Sequence, residues 1–579
     1  MEDFRYIDRG KPIPREQYTD QPYVVVADDG AWVCVLTTAY GQEGAAGTHV
    51  GITVSYDRGN TWTDLYFPEG NDLRESAYGV LLKTSFNRIY CFYNFNKNNL
   101  RNLICRKERL SHRVDMQGAF VFRYSDDSGK TWSERYEVPI RETKIDRENP
   151  YGGKVRMFWT VGKPFILDND GYVIIHKIGD MLTVSEGWLL RAVNMNTEKD
   201  PNKLVWETLP DGDIGLITPK GGGLIAEEQS MVVLSDKSIY CVYRSIDGHP
   251  VETYSRDKGH TWEQPQYKRY ADNRLMKHPR AANFVWKCKN GKYLYWYHNN
   301  GSKWYENRNP AFLCSGIEYD TKEGRRIKWS QPEVLLYHED PGVRMSYPDF
   351  IEDSDKYYIT ETQKLDARVH EIPEKFLQSL WNQFESSDIT DEGLLSESEG
   401  KSVIDMPELP VFCITDRKSH IFATKSTESG VTFELIYKAG TGKRKILDSR
   451  DASGKGVLIE QICDCRINIL MNDGVNTCYR SSDKYMLKPD QINHIAIIID
   501  GGPNIVSYVI NGMYNDGGQD RIFGFGRFST YFKDMNGKTK ACVCKNVLKL
   551  RIYGRALLTS EIISNGRGYK KGGKYEKYD

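Results

Sequence analysis

The feature of this sequence that most restricts its fold is a unit of two β-rich runs joined by a polar turn. An apolar run leads into a turn with Asp, Asn or Gly, and a second run rich in Tyr, Val and Cys follows. The six copies of this unit begin at Asp20, Ser76, Phe158, Glu227, Ala282 and Ser346. Such repetition is typical of folds that repeat one small sheet several times.

A second repeat has the form S-x-D-x-G-x-T-W. It occurs as "SYDRGNTW", "SDDSGKTW" and "SRDKGHTW", which start at Ser55, Ser125 and Ser255. Ser and Asp side chains bond nearby backbone groups and Gly takes positive φ, so each copy predicts a hairpin turn with its Trp packed beneath. We interpret the aspartates of these turns as structural rather than catalytic.

Six units of about four short strands, closed radially, predict a six-bladed β-propeller over residues 1–365. Residues 366–409 combine a helical spacing of apolar residues with an acidic, Ser-rich run, which predicts a linker. In residues 410–565, "VINGMYNDGG" and "LRIYGRALLTSEI" resemble a laminin-G/concanavalin-like jelly roll, so a β-sandwich is expected there. Residues 566–579 are basic and Gly-rich and predict a frayed tail. The predicted fold class is therefore all-β.

Length and charge exclude some classes of partner. A chain of 579 residues is long enough for more than one domain. Lys+Arg and Asp+Glu both number 79, so neither nucleic acid nor a membrane surface is an expected partner. No apolar run is long enough to span a bilayer. "MEDFRYIDRG" lacks a signal-peptide core, which predicts a cytoplasmic protein if Met1 is native and an exported one if a leader was removed.

The twelve cysteines are scattered, and two pairs are spaced C-x-C, at Cys463/Cys465 and Cys542/Cys544. Alternate residues share one face of a strand, which makes a C-x-C a poor metal clamp and a strained disulfide. We therefore expect buried free thiols, and we expect neither a metal nor another cofactor.

Charged and phenolic residues stand at the ends of several repeat units. Glu228 opens the fourth unit and Arg244 closes its second run. Arg308 begins "RNPAFLCSGIEY", and Tyr347 opens the sixth unit. Because a propeller gathers the ends of its inner strands at one face, these residues are expected to share a pocket.

These motifs resemble the exo-sialidase (neuraminidase) family over most of residues 20–365. "EEQSMVVLSDKSIYCVYRS", "NRNPAFLCSGIEYD" and "RMSYPDFIED" match the family's glutamate, arginine and tyrosine segments. The resemblance implies Tyr347 as nucleophile and Glu228 as the base that takes its proton. It implies Arg244 and Arg308 as a clamp for a substrate carboxylate. A neutral tyrosine suits an anomeric carbon that bears a carboxylate, since an anionic nucleophile is repelled there, and arginine forks bind carboxylates bidentately.

The sequence departs from the family at two positions. Where the family has a first arginine, "DQP" places Gln21. Counting back from the first turn serine to the family's acid/base aspartate gives His49, which implies a histidine in that role. Arg280 in "KHPRAAN" and Arg344 in "GVRMSY" are candidates for the missing clamp, and Glu43 in "GQEG" is an alternative acid.

Each assignment has a structural alternative. His49 after Gly-Thr is a possible loop residue without a catalytic role. Arg244 is also suited to an ion pair with a carboxylate of a neighbouring blade. Tyr347 is one of 37 tyrosines, many of which belong to the core.

Three functions remain open at this stage, and acidic glycans are the expected partner in each. The first is an exo-glycosidase that removes a terminal sialic acid or a related acidic sugar. The second, favoured by His49 and the missing arginine, is hydrolysis or elimination at rhamnose linked to glucuronate. The third is a glycan-binding protein that has lost catalysis.

The predicted sandwich allows two roles. Tyr479, Tyr485 and Tyr531 are candidates for exposed aromatic rings that stack on sugars. The alternative is a spacer that packs against the propeller. On the first interpretation, a chain that ends near Glu399 keeps activity on a small soluble substrate and loses part of it on a polymeric glycan.

Overall fold

The structure is a computed structural model that describes residues 3–70, 72, 74–416 and 423–572. Its strands form six small antiparallel sheets, which are followed along the chain by two larger ones. We call the small sheets blades 1 to 6. Strand β1 (Lys11–Pro12) precedes blade 1 in sequence but belongs to blade 6.

The first three blades come from residues 18–209. Blade 1 contains β2 (Tyr18–Val26), β3 (Trp32–Ala39) and β4 (His49–Ser55). Blade 2 contains β5 (Ser76–Lys83), β6 (Ile89–Phe95), β9 (Ala119–Ser125) and β10 (Tyr136–Glu137), with a small hairpin of β7 (Leu103–Ile104) and β8 (Leu110–Ser111) inserted. Blade 3 contains β11 (Phe158–Trp159), β12 (Phe165–Leu167), β13 (Asp170–Asp180), β14 (Val184–Ala192) and β15 (Trp206–Leu209).

The other three blades come from residues 227–372. Blade 4 contains β16 (Glu227–Val233), β17 (Ile239–Arg244), β18 (Val251–Ser255) and β19 (Gln266–Tyr267). Blade 5 contains β20 (Phe284–Lys287), β21 (Tyr293–Tyr297), β22 (Ala311–Thr321), β23 (Gly324–Trp329) and β24 (Glu333–Leu336). Blade 6 contains β25 (Ser346–Asp353), β26 (Lys356–Thr362) and β27 (Ala367–Ile372), together with β1.

The blades close into a ring, so the predicted six-bladed β-propeller is confirmed. Strand β2 contacts both β5 and β25, and β16 contacts both β13 and β20. The N-terminal β1 pairs with β27, in the register Lys11 to Val369, so that the last blade contains both ends of the propeller. The six repeat units of the sequence lie on the inner strands, whose alternating apolar residues pack between neighbouring blades.

The S-x-D-x-G-x-T-W segments are turns in which the aspartate bonds its own loop. In the first copy, Asp57 Oδ1 accepts the Thr61 N–H at 2.8 Å and Oδ2 accepts the Thr61 hydroxyl at 2.7 Å. Ser55 Oγ accepts a backbone N–H of the same turn at 2.8 Å. Asp127 and Asp257 repeat this pattern. The turns therefore have a structural role, as expected.

The C-terminal part is a sandwich of two antiparallel sheets, as predicted. One sheet contains β28 (Leu394–Glu399), β32 (Gly430–Lys438), β37 (Ile492–Asp500), β38 (Ile505–Ile510), β39 (Met513–Tyr514), β40 (Gly526–Arg527) and β42 (Val547–Tyr553). The other contains β29 (Val403–Asp405), β33 (Arg444–Asp448), β34 (Gly456–Ile462), β35 (Arg466–Asn472), β36 (Thr477–Ser481) and β41 (Lys540–Val543). Strands β30 (Cys413–Asp416) and β31 (Ala423–Ser426) form a separate pair.

Helices are few in the described part of the chain. The α-helices are α1 (Lys144–Arg147), α2 (Glu374–Trp381) and α3 (Thr559–Lys571). Short 3-10 helices cover Ile7–Arg9, Arg106–Glu108, Val114–Met116 and Pro201–Lys203. None of the helices described is long and apolar enough to cross a membrane.

The segment 366–409, which the sequence predicts as a linker, is largely built into the two folded units. It begins with β27 of blade 6, and its acidic run is strand β28, which pairs with β42. The reason is charge pairing across strands, because Lys549 Nζ lies 2.6 Å from Glu397 and 3.0 Å from Glu399. Composition alone therefore misread an edge strand as a solvated linker.

The sandwich packs directly on blade 5. The ring of Phe312 lies 6.2 Å from the rings of both Tyr514 and Phe525. At the same interface, Glu333 of blade 5 accepts the backbone N–H groups of Thr559 and Ser560, at 3.0 and 2.7 Å, and so caps α3. Tyr479, Tyr485 and Tyr531 are exposed elsewhere on the sandwich, as expected. Their binding to sugars stays a prediction.

All twelve cysteines are free, and eight are buried as predicted. The prediction is wrong for the C-x-C pairs, because Cys463 and Cys542 are exposed and Cys465 and Cys544 are partly exposed. Cys542 lies on β41, whose side chains alternate between exposed and buried, and it falls on the outer face. Cys463 lies in the turn between β34 and β35.

Candidate active site

Four inner strands begin with the same backbone distortion. Gln21, Tyr78, Glu228 and Tyr347 have left-handed φ values of 54°, 60°, 57° and 47°. At each of them the register with the next strand shifts, which is a β-bulge. A non-glycine residue in this conformation costs roughly 1 kcal/mol or more, and bulges redirect side chains next to functional sites. The repetition identifies this end of the propeller as the candidate site.

Tyr347 and Glu228 meet across the propeller axis, although their blades are not neighbours. The Tyr347 hydroxyl donates a hydrogen bond to Glu228 Oε1 at 2.8 Å. Both side chains are buried. Burial raises the pKa of Tyr347 well above its usual value, and the charge of Glu228 raises it further. The phenol therefore keeps its proton in the free protein and is already bonded to a base.

Arg244 and Arg280 neutralise the carboxylate next to Glu228. Arg244 donates to Glu227 Oε2 at 2.6 Å and lies 2.7 Å from Glu228 Oε2. Arg280 Nη2 lies 3.2 Å from Glu227 Oε2. Burial would raise the pKa of Glu227, but the two arginines outweigh it and hold that pKa at about 2. Burial, together with the charge of Glu227, raises the pKa of Glu228. Two adjacent carboxyl groups thus have opposite pKa shifts, as acid/base sites often do.

Arg308 is a buried cation whose partners are all neutral. Its Nε donates to Tyr305 O at 3.0 Å, its Nη1 to Ser346 Oγ at 2.8 Å and its Nη2 to Arg280 O at 3.4 Å. No carboxylate in the described part of the chain forms an ion pair with it. Burial lowers the pKa of Arg308, and the charge of Arg244 lowers it further. A buried charge of this kind favours an anionic ligand.

A second group of charges lies against the other side of Tyr347. Lys364 bonds to Asp20, lies 3.3 Å from Glu43 Oε2, and has its ammonium 4.7 Å from the centre of the Tyr347 ring. Glu43 also lies 3.3 Å from Arg113. Burial would raise the pKa of Glu43, but Lys364 and Arg113 hold it at about 2. The loop after β3 therefore places a carboxylate in the candidate site.

Blade 2 extends this group, and sequence reasoning missed its members. Tyr78 donates to Asp115 Oδ2 at 2.6 Å, and Arg113 lies 3.0 Å from the same oxygen. The position of Tyr78 in the sequence could have identified it as a site residue. It stands near the start of the second repeat unit, as Glu228 and Tyr347 stand near the starts of the fourth and sixth. No group of three or more His, Cys, Asp or Glu side chains within the described ranges is arranged to hold a metal.

The structure does not bring His49 into this cluster. His49 opens β4, its Nε2 lies 2.9 Å from Glu16 Oε2, and the centre of its ring lies 4.4 Å from that of Phe67, with the two rings tilted by 53°. Its contacts are with blade 1 itself. The loop between β3 and β4 thus places Glu43, rather than His49, in contact with Lys364 beside Tyr347, and the acid/base role of His49 stays a prediction.

The other predicted residues divide between the site and its rim. Gln21 is fully buried, and its Nε2 donates to Thr160 O at 2.9 Å. Arg344 is exposed, with its guanidinium 5.9 Å from the Tyr305 ring. The structural alternative for Arg244 also holds in part, since Arg244 is paired with carboxylates, although they belong to its own blade.

No family model matches the chain. No curated protein matches it either. Among solved structures, the chain is similar to a Trypanosoma rangeli sialidase in complex with sialic acid, at 13% identity and a TM-score of 0.45 over 98% of each chain. It is also similar to a leech intramolecular trans-sialidase, at 13% identity and a TM-score of 0.45 over 66% of this chain and 71% of that one. It is similar as well to the NanB sialidase of Streptococcus pneumoniae, at 13% identity and a TM-score of 0.44 over 62% of this chain and 69% of that one. These three solved structures are two sialidases and a trans-sialidase.

Proposed function

We propose that the protein is an exo-acting glycosidase that removes a terminal acidic sugar, in the first place a sialic acid, from glycans. One observation carries the proposal: Arg308, a buried cation without a carboxylate partner, lies in the same cluster as the hydrogen-bonded pair of Tyr347 and Glu228. In a sialic acid the carboxylate is attached to the anomeric carbon. A carboxylate bound by Arg308 therefore brings that carbon next to the phenol.

The reaction follows from these positions in two steps. Tyr347 Oη attacks the anomeric carbon and its proton passes to Glu228 Oε1, while the glycosidic C–O bond breaks and an acid protonates the leaving oxygen. Water then attacks the anomeric carbon and gives its proton to the conjugate base of that acid, the glycosyl–tyrosine bond breaks, and the proton on Glu228 returns to Tyr347. Arg244 and Glu227 keep Glu228 oriented during both steps, because Arg244 is hydrogen-bonded to Glu227 through Nε and Nη2 and forms an ion pair with Glu228 through Nη1.

Glu43, rather than His49, is the acid in this proposal. Glu43 contacts Lys364, which itself lies over the Tyr347 ring, whereas His49 contacts Glu16 and Phe67. In the free protein Glu43 is ionised. A bound carboxylate adds a negative charge to the site, which raises the pKa of Glu43 and favours its protonation. The rhamnose–glucuronate alternative was favoured by His49 and by the missing first arginine; the contacts of His49 with Glu16 and Phe67 weaken the first of these supports and leave the second in place.

The test of the proposed function is hydrolysis of a fluorogenic sialoside compared with the matching glucuronide and galactoside. We expect release from the sialoside only. Arg308→Met is expected to raise KM by about tenfold to a hundredfold, since a hydrogen bond to a charged group contributes about 1.5–3 kcal/mol. Arg344→Met removes an exposed arginine whose charge also acts on Arg308, and it is expected to raise KM less than Arg308→Met does. Sialoside binding without turnover would favour the non-catalytic alternative.

Glu43→Gln is expected to lower kcat on a natural sialoside by about 10²–10⁴-fold, because the leaving oxygen then lacks its proton donor. The loss should be much smaller on an aryl sialoside, whose leaving group needs no proton. The comparison of the two substrates is the measurement. His49→Gln is the control and is expected to stay within a few-fold of wild type on both. A substrate-dependent loss in the His49 variant would transfer the acid role back to the histidine.

A further inference from the structure

A cavity of about 400 Å³ lies in the sandwich, between α3, the turn after β38 and the segment that leads into β37. This is within the size range of small-molecule sites. Lys488, Arg567 and Lys570 line it together with the apolar side chains of Ile492 and Ile563. The described lining residues include no Asp or Glu. The cavity is therefore cationic on one part of its wall and apolar on another.

Arg567 presents a guanidinium that has no acidic partner. Its Nη1 donates to Ser386 O at 3.0 Å and to a second backbone carbonyl, and burial lowers its pKa. Lys488 is exposed at the rim, and its ammonium forms no ion pair with any described residue. Arg567 and Lys488 thus line one cavity without an acidic partner among the described residues. An anionic ligand would supply the missing negative charge.

On the buried wall of the cavity, the polar side chains already have hydrogen-bond partners inside the sandwich. His494 lines it, and its Nε2 lies 2.8 Å from Glu434 Oε1. Glu434 also accepts hydrogen bonds from Asn565 and Tyr569, at 3.1 and 3.0 Å, and is buried. The negative charge of Glu434 is therefore stabilised by hydrogen bonds inside the sandwich. Helix α3 approaches this wall closely at Gly566, where a Cβ would lie 2.7 Å from His494 Nδ1.

We propose that this cavity is a second binding site, for a sugar that carries a carboxylate. Arg567 and Lys488 hold the carboxylate, while Ile492 and Ile563 cover a C–H face of the ring. The choice of an acidic sugar over another anion rests on the proposed function, because it gives both sites the same ligand class. Two sites on one chain increase the effective affinity for a glycan with several acidic residues.

The test is calorimetric titration of the full chain carrying Tyr347→Phe, so that no probe is turned over. The probes are N-acetylneuraminic acid, glucuronate, galactose and inorganic phosphate. We expect the acidic sugars to bind and galactose and phosphate to bind at least tenfold more weakly. Tighter binding of N-acetylneuraminic acid or of glucuronate shows which of the two acidic sugars this site prefers. Phosphate binding as strong as that of the sugars would overturn the choice of ligand.

Lys488→Met and Arg567→Lys are expected to weaken this site about tenfold or more, without lowering kcat on a small sialoside in the parent chain. Lys488 is exposed, so its replacement leaves folding intact, and Arg567→Lys keeps the charge but loses the fork. Lys571→Met is the matched control, because Lys571 bonds to Ser387 and does not line the cavity. Unchanged titrations in both variants would overturn the proposal. If the titration detects only one site and Lys488→Met removes it, the result supports the binding site in the sandwich and contradicts the proposed function of the propeller.

Discussion

Replacement of Tyr347 by phenylalanine is expected to lower kcat on a sialoside by about 10³-fold or more, because the attacking oxygen is removed. The folded state should lose no more than about 1–3 kcal/mol, since Glu228 loses one hydrogen-bond donor but keeps its contact with Arg244. The measurements are steady-state kinetics and thermal unfolding. Mass spectrometry with a fluorinated sialoside should detect a covalent adduct on Tyr347 in the wild type and none in the variant.

Tyr295→Phe is the matched control for this prediction. Tyr295 is a buried blade 5 tyrosine whose hydroxyl has no hydrogen-bond partner among the described residues. Its replacement should leave kcat unchanged. A Tyr347→Phe variant with more than a tenth of the wild-type kcat, or an adduct on a different residue, would contradict the role of Tyr347 as nucleophile.

The same pair predicts the acid side of the pH profile. Glu228 must be ionised to accept the phenolic proton, and burial raises its pKa above the usual range of about 4.3. Activity should therefore fall as the pH decreases through this raised value, at a higher pH than for an exposed glutamate. Glu228→Gln should remove this acid limb together with most of the activity, whereas Glu43→Gln should retain the limb.

Removal of the sandwich, in a chain that ends at residue 392, is expected to abolish activity on small and polymeric substrates alike. The truncation uncovers Phe312 and the rest of the apolar surface on blade 5, which Tyr514 and Phe525 cover in the full chain. It also removes Arg527, which donates to Asn309 O at 2.8 Å next to Arg308. This expectation differs from the sequence-based one because the sandwich supports the site rather than standing apart from it.

The measurements for the truncated chain are its solubility, its thermal unfolding and its kcat/KM on a small sialoside. A chain that ends at residue 572 serves as the control and should behave like the full chain. Arg527→Met tests the local part of the argument and should raise KM while the protein stays folded. A soluble truncated chain with wild-type kcat/KM on the small substrate would support an independent propeller.

Much of the fold follows from local sequence patterns. Each blade is a set of antiparallel strands joined by short connections, so its β runs and turns are adjacent in the sequence, and six repeats were enough to predict the propeller. The positions of Glu228, Arg244, Arg308 and Tyr347 followed for the same reason. Each lies at the end of an inner-strand segment, and all such ends meet at one face of a propeller.

Only the tertiary structure decided which side chains meet. Lys364 of blade 6 and Arg113 of blade 2 both reach Glu43 of blade 1, and no spacing in the sequence reports such distances. A residue count likewise does not report that His49 contacts Glu16 and Phe67 while Glu43 contacts Lys364, because strand pairing fixes where each side chain points. The acidic strand β28 was missed for a related reason, and packing of the sandwich on the propeller was predicted only as an alternative, without its place on blade 5. Both depend on partners more than a hundred residues away, and their stability comes from cross-strand ion pairs and buried apolar surface that exist only after folding.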